Sequence, residues 1–126
     1  MAAMGARRVL AAAGVLLALA TLAGALGAHT LKAHWSAERL SVYDTAVRYQ
    51  FYHALGLLGI GLALRMTGTA ALRWSALLVM AGIMLFCGSL YALTLGAPRL
   101  IGLVTPLGGL ALIGGWALFA YGALRA

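Results

Sequence analysis

Long apolar runs separated by short polar stretches dominate the chain. Four such runs cover residues 9–28, 49–64, 74–95 and 100–124. An α-helix needs about 20 apolar residues to cross the hydrocarbon core of a bilayer, and only the second run falls short of that length. The pattern predicts an all-α fold, an integral membrane bundle of four transmembrane helices forming one domain over residues 1–126.

Residues 29–50 are the one polar stretch of the chain. Ser36 can cap a helix start by accepting a backbone N–H bond, and Leu40, Tyr43 and Val47 follow on one helical face. This spacing predicts a short amphipathic helix at the membrane surface between the first and second spans, with Trp35 and Tyr43 as interfacial anchors. The surface helix could also continue into the second span without a break, and an ordinary loop is the alternative.

The first apolar run has a competing interpretation as a cleaved signal peptide. Ala23, Gly24 and Ala25 resemble a small-residue cleavage site. The run is longer than a usual signal-peptide core, however, which favours a retained helix.

Composition supports a membrane protein and excludes a soluble domain. Hydrophobic residues make up 64% of the 126 residues and charged residues only 9%, against roughly 25% charged residues in soluble domains. The formal charge of +7 is scattered and forms no basic stripe, so we expect no nucleic-acid partner. The expected partners are the lipid bilayer and either further copies of the chain or a larger membrane complex.

Basic residues beside the spans predict the orientation. Arg7 and Arg8 precede the first run, and basic residues concentrate on the cytoplasmic side of membrane proteins. Four spans bring both termini to one side, so we expect both in the cytoplasm, in a bacterial inner membrane.

Glycines indicate how the helices would pack. In lipid, helices associate through close backbone contact at small residues. Gly108 and Gly109 in the fourth run are therefore expected at a helix contact, where a leucine would destabilise the bundle.

Polar residues concentrate near one predicted end of the bundle. The first and third helices end there and the second and fourth begin there, so their polar side chains should lie at similar depth near the outer surface. Gln50 and His53 share a helical face, and we expect His29 to approach them. The candidate cluster consists of His29, Tyr49, Gln50, His53, Ser89, Tyr91 and Thr105. Two interpretations stay open, namely hydrogen bonds that hold the helices together and a pocket for a ligand or ion.

Five short runs carry a resemblance to a known family. They are GALGAH at residues 24–29, YQxxHAL at 49–55, GSLY at 88–91, TPLGG at 105–109 and GW at 115–116. In this order and spacing they resemble the YgdD-like small inner-membrane proteins, a domain-of-unknown-function family. The resemblance implies a four-helix inner-membrane protein and no reaction. The motif positions it covers are His29, Tyr49, Gln50, His53, Ser89, Tyr91, Thr105 and Trp116.

The available chemistry argues against an enzyme. Glu38 and Asp44 are the only carboxylates, both in the polar stretch, and Cys87 lies in an apolar run where a thiol is inert. We predict no catalytic, cofactor or metal site and a structural or accessory membrane subunit of unknown biochemical activity. The alternatives are a small-molecule or ion carrier that uses the polar cluster, and a metal or haem binder that uses His29, His34 and His53.

Overall fold

The computed structural model describes residues 5–126, which form four long helices and contain no β-strand. Helix α1 covers Ala6–His34 and includes a π-helical segment at Gly27–Leu31. Helix α2 covers Ala37–Met66, α3 covers Ala70–Thr94, and α4 covers Val104–Arg125 after a 3-10 segment at Arg99–Leu103. The prediction of an all-α chain is confirmed.

Helix α2 joins two elements that the sequence suggested could be separate. Ser36 caps its start by accepting a hydrogen bond from the Arg39 backbone N–H at 3.2 Å. Residues 37–55 contain no glycine or proline, so nothing interrupts the helix between the polar stretch and the second apolar run. The expected surface helix is therefore not an independent element but the first turns of α2, and its apolar face, with Tyr43 and Val47 buried, packs against α1.

Helix α1 runs further than the sequence predicted. The expected end at residue 28 is wrong by about two turns, because the π-helical segment carries the helix on to His34. Gly27 lies in that segment against the ring of Tyr43, and an added Cβ would stand 2.9 Å from Tyr43 Cε2. The missing side chain thus lets α1 and α2 approach closely at this point.

The helices pack in chain order. Helix α2 lies between α1 and α3, and α3 and α4 form the most intimate pair. Glycines of α4 make that contact, since a Cβ at Gly108 would stand 2.8 Å from Phe86 Cα and one at Gly115 would stand 2.8 Å from Val79 Cγ2. A core of small and branched residues, including Ala13, runs through the bundle.

Three helical stretches are long and apolar enough to cross a membrane. They are Ala6–His34, Ala70–Thr94 and Arg99–Arg125. Helix α2, with 30 residues, is long enough to cross a membrane. Its polar residues make it too hydrophilic to count among these candidate spans. The described chain is thus an all-helical protein with three candidate membrane-spanning helices.

Candidate functional site

Gln50 joins three helices through hydrogen bonds. Its side-chain Nε2 donates to the Leu16 carbonyl of α1 at 2.8 Å, and its Oε1 accepts from the Tyr91 hydroxyl of α3 at 2.7 Å. Gln50 is only 5% exposed. Leu16 is the central residue of the α-helical part of α1, Ala6–Leu26, so this polar contact lies well inside the bundle and away from the end where α1 finishes.

His53 contacts a different helix. Trp116 Nε1 of α4 donates to His53 Nδ1 at 3.0 Å. An indole N–H can only donate, so Nδ1 is the acceptor and the ring proton is on Nε2. Trp116 also covers Gly56, where an added Cβ would clash with the indole ring. Gln50 and His53 are three residues apart, yet Gln50 faces α1 and α3 whereas His53 faces α4.

Two further polar contacts lie nearer the end where α3 finishes. The Ser89 and Thr105 hydroxyls share a hydrogen bond between α3 and α4. Arg39 Nε donates to the Thr94 carbonyl at 2.8 Å, and its guanidinium carbon lies 3.8 Å above the Trp35 ring. Arg39 thereby ties the start of α2 to the last turn of α3.

The structure brings together most of the candidate cluster, but in pairs. Gln50 meets Tyr91, and Ser89 meets Thr105. Tyr49 packs against Phe86 with ring centroids 4.8 Å apart.

His29 stands apart from these pairs. It is exposed in the π-helical part of α1, and within residues 5–126 no hydrogen bond joins it to another member of the cluster. The structure does not bring His29 to Gln50, because Gln50 bonds to Leu16, and His29 follows Leu16 on the same helix by about 20 Å at 1.5 Å per residue.

Two contributors escaped sequence reasoning. Trp116 was a motif position of the resemblance but not a member of the cluster, although it is the partner of His53. The detectable signal was Gly56, one turn after His53, which leaves room for a large ring. Tyr43 was seen only as an interfacial residue, yet its hydroxyl donates to the Ala23 carbonyl at 2.6 Å.

A groove opens between α1 and α3, with α2 as its floor. We call it the α1/α3 groove. It encloses about 370 Å³, and leucines 16, 19, 22 and 26 form its α1 wall. Met84 and Gly88 belong to its α3 wall, Leu95 lines it just after the end of α3, and Tyr43 and Gln50 lie on the floor.

The polar chemistry of the bundle is already satisfied. Among the described residues, no buried side-chain nitrogen or oxygen lacks a hydrogen-bond partner. In the same part of the chain, no three His, Cys, Asp or Glu side chains lie close enough together to hold a metal ion. Cys87 is a buried free thiol, 2% exposed.

Comparison with known proteins places relatives of this chain in the membrane. A family model described as a protein of unknown function (DUF423) matches residues 23–109. The UPF0382 membrane protein of Staphylococcus saprophyticus is 42% identical over 119 residues, which cover 93% of this chain and 95% of that protein. The UPF0382 inner membrane protein YgdD of Escherichia coli is 39% identical over 102 residues, covering 81% and 78%. No solved structure matches the chain.

Proposed function

The chain belongs to the family of proteins of unknown function DUF423, and on that premise we propose that it is a structural or accessory subunit of a larger membrane assembly and not an enzyme. Its relatives are named membrane proteins, in one case an inner membrane protein, and none of those names states an activity. Like them, this is a small membrane protein of unknown biochemical activity.

The single observation that carries this proposal is the pairing of the polar side chains inside the bundle. Gln50, Tyr91 and the Trp116–His53 pair are engaged in hydrogen bonds between helices. A catalytic or transport site presents polar groups to a substrate, whereas these groups are directed at one another. Such bonds are the contacts that hold membrane helices together.

Helix α2 is the proposed fourth span. Its 30 residues would extend about 45 Å at 1.5 Å per residue, against a core of about 30 Å. It packs between α1 and α3, both apolar enough to span, and it turns Gln50 inward between them. Low hydropathy in such a helix is compatible with spanning because the bundle, not lipid, surrounds its buried polar group. The amphipathic first turns of α2, where Glu38 and Arg39 are exposed, lie near the interface.

Four spans bring both termini to the cytoplasmic side. With alternating helix directions, the start of α1, the α2–α3 turn and the end of α4 share one end of the bundle. Arginines 7, 8, 65, 73 and 125 lie at that end. The excess over the opposite end is small, and the pair Arg7 and Arg8 decides the orientation.

The proposed assembly can be tested by photo-crosslinking in intact membranes. A photoreactive residue would replace Ile113 on α4 or Val15 on α1, which are 68% and 59% exposed. Leu57, which is fully buried, is the matched control position. We expect a protein adduct of one defined mass from at least one exposed position and none from position 57. Lipid adducts alone from both exposed positions would contradict an accessory subunit.

A further inference from the structure

We infer that the α1/α3 groove is a binding site for one phospholipid molecule, with an acyl chain along the groove and the phosphate at Arg39. This inferred lipid site goes beyond the accessory role. It depends on the proposed membrane crossing of α2 only because α2 forms the floor of the groove. The walls, α1 and α3, are both candidate spans.

The groove offers hydrocarbon contacts only. Three side chains of its lining can hydrogen-bond, two on the floor and Tyr91 on the α3 wall, and each already has a partner within the chain. Gln50 uses both ends of its amide, the Tyr91 hydroxyl donates to Gln50, and the Tyr43 hydroxyl donates to the Ala23 carbonyl. An occupant therefore needs no hydrogen-bonding group along the groove, which suits an acyl chain.

The length of the groove matches one leaflet. Its α1 wall runs from Leu16 to Leu26, about 15 Å at 1.5 Å per residue, or about half of a 30 Å core. Among the described residues of α1, none before Leu16 lines the groove. A transmembrane helix of a partner would need a contact along the full core, so half a span favours a lipid chain.

A positive charge lies next to one end of the groove. Arg39 lies in a neighbouring depression with Val42 and Thr94, which directly precede the groove residues Tyr43 and Leu95 in the sequence. Its guanidinium Nε donates to the Thr94 carbonyl at 2.8 Å. Trp35 lies beneath that guanidinium, and tryptophan is enriched at the level of the headgroups. Guanidinium binds phosphate through paired N–H donors. The neighbouring Glu38 lies in the same depression, which leaves room for a zwitterionic as well as an anionic headgroup.

Glycine positions provide a matched pair of variants. Gly88 lies in the groove and Gly59 lies on the exposed face of α2 outside it, and an added Cβ meets nothing within 4 Å at either position. Gly88→Trp would fill the groove, whereas Gly59→Trp adds the same bulk elsewhere. Leu22→Trp on the opposite wall, where Leu22 is 57% exposed, replaces Gly88→Trp if that variant does not fold.

The experiment is native mass spectrometry of the purified full chain after addition of phosphatidylglycerol vesicles. We expect the original protein and Gly59→Trp to keep one phospholipid under activation that strips other lipids, and Gly88→Trp to lose it. Arg39→Gln should also lose it, Arg39→Lys should keep it, and Arg99→Gln, at the same end of the bundle, should keep it. If Arg39→Lys retains the lipid, the positive charge at position 39 is what binds the phosphate. If only arginine retains it, the geometry of the bond to Thr94 is what matters.

Three results would overturn this inference. One is equal lipid retention in Gly88→Trp and Gly59→Trp. A second is a lipid-free dimer that Gly88→Trp dissociates, which would make the groove an interface between copies. The third is loss of the lipid in Arg39→Lys as well as in Arg39→Gln. Crosslinking from Ile113 tests the accessory role independently, so failure of either idea leaves the other standing.

Discussion

Gln50 forms more hydrogen bonds to other helices than any other polar side chain that the sequence singled out. It bonds to a backbone carbonyl of α1 and to a tyrosine of α3. In lipid, an amide without partners costs several kcal/mol, so burying one is tolerable only where both of its ends are satisfied. The residue therefore fixes where α2 lies relative to its neighbours.

Replacing Gln50 with leucine should destabilise the bundle by about 1–2 kcal/mol, since two interhelical hydrogen bonds at about 0.6 kcal/mol or more each are lost. Thr45→Val is the control, because the Thr45 hydroxyl bonds only to the Ser41 carbonyl of its own helix. Unfolding by SDS in mixed micelles measures both. An unfolding curve for Gln50→Leu that coincides with the original one would mean that this contact does not stabilise the fold.

The His53–Trp116 bond can be isolated by a double-mutant cycle. His53→Ala should lower the free energy of unfolding by about 1 kcal/mol, and Trp116→Phe should remove the donor while keeping a ring over Gly56. The coupling energy between the two changes should be about 0.6 kcal/mol. Strictly additive losses in the same unfolding assay would show that the two side chains do not interact in the membrane.

At the scale of helices, periodicity and length predict where apolar segments lie but not how far each helix continues. The third and fourth runs were placed correctly because glycine and proline near residues 96–98 end one helix before the next begins. The extension of α1 to His34 was missed, since the π-helical segment has no sequence signal as plain as a cap. To predict that Gln50 bonds to Tyr91, one must also know how each helix is rotated about its own axis. Small residues at the helix contacts set that rotation, and the pattern of polar residues does not reveal it.

The α3–α4 contact predicts different outcomes for two adjacent glycines. Sequence reasoning treated Gly108 and Gly109 alike, but a Cβ at Gly108 would meet the backbone of Phe86, whereas one at Gly109 lies 3.9 Å from the Phe86 ring. Gly108→Ala should destabilise the protein by about 1–3 kcal/mol through overpacking. Gly109→Ala should be neutral or slightly stabilising, since alanine favours helix. Thermal unfolding in detergent measures the stability of both variants. Equal unfolding midpoints would contradict the close contact of Gly108 with α3.

At the scale of the whole molecule, the number of membrane crossings depends on helix α2. Three helices qualify by composition and α2 does not. A helix surrounded by protein can carry polar residues that a lone span cannot, because its neighbours satisfy them. In the proposed four-span arrangement, membrane insertion of α2 would be a property of the assembled bundle, which hydropathy along the sequence does not measure.

Cysteine labelling decides between three and four crossings. Gly68 lies in the exposed α2–α3 turn and Ala97 in the α3–α4 turn. In a Cys87→Ser background with four crossings, a membrane-impermeant maleimide added to intact cells should label Ala97→Cys and spare Gly68→Cys, because α3 separates the two turns and the Gly68 turn shares the cytoplasmic side with Arg7 and Arg8. Permeabilised cells should label both, which controls for accessibility. With four crossings, a cysteine added after Ala126 should be spared as Gly68→Cys is, since Arg7 and Arg8 hold that side in the cytoplasm. If α2 does not cross the membrane, only one of the two cysteines, Gly68→Cys or a cysteine beside Arg7, is labelled in intact cells. That result would contradict the proposed fourth span.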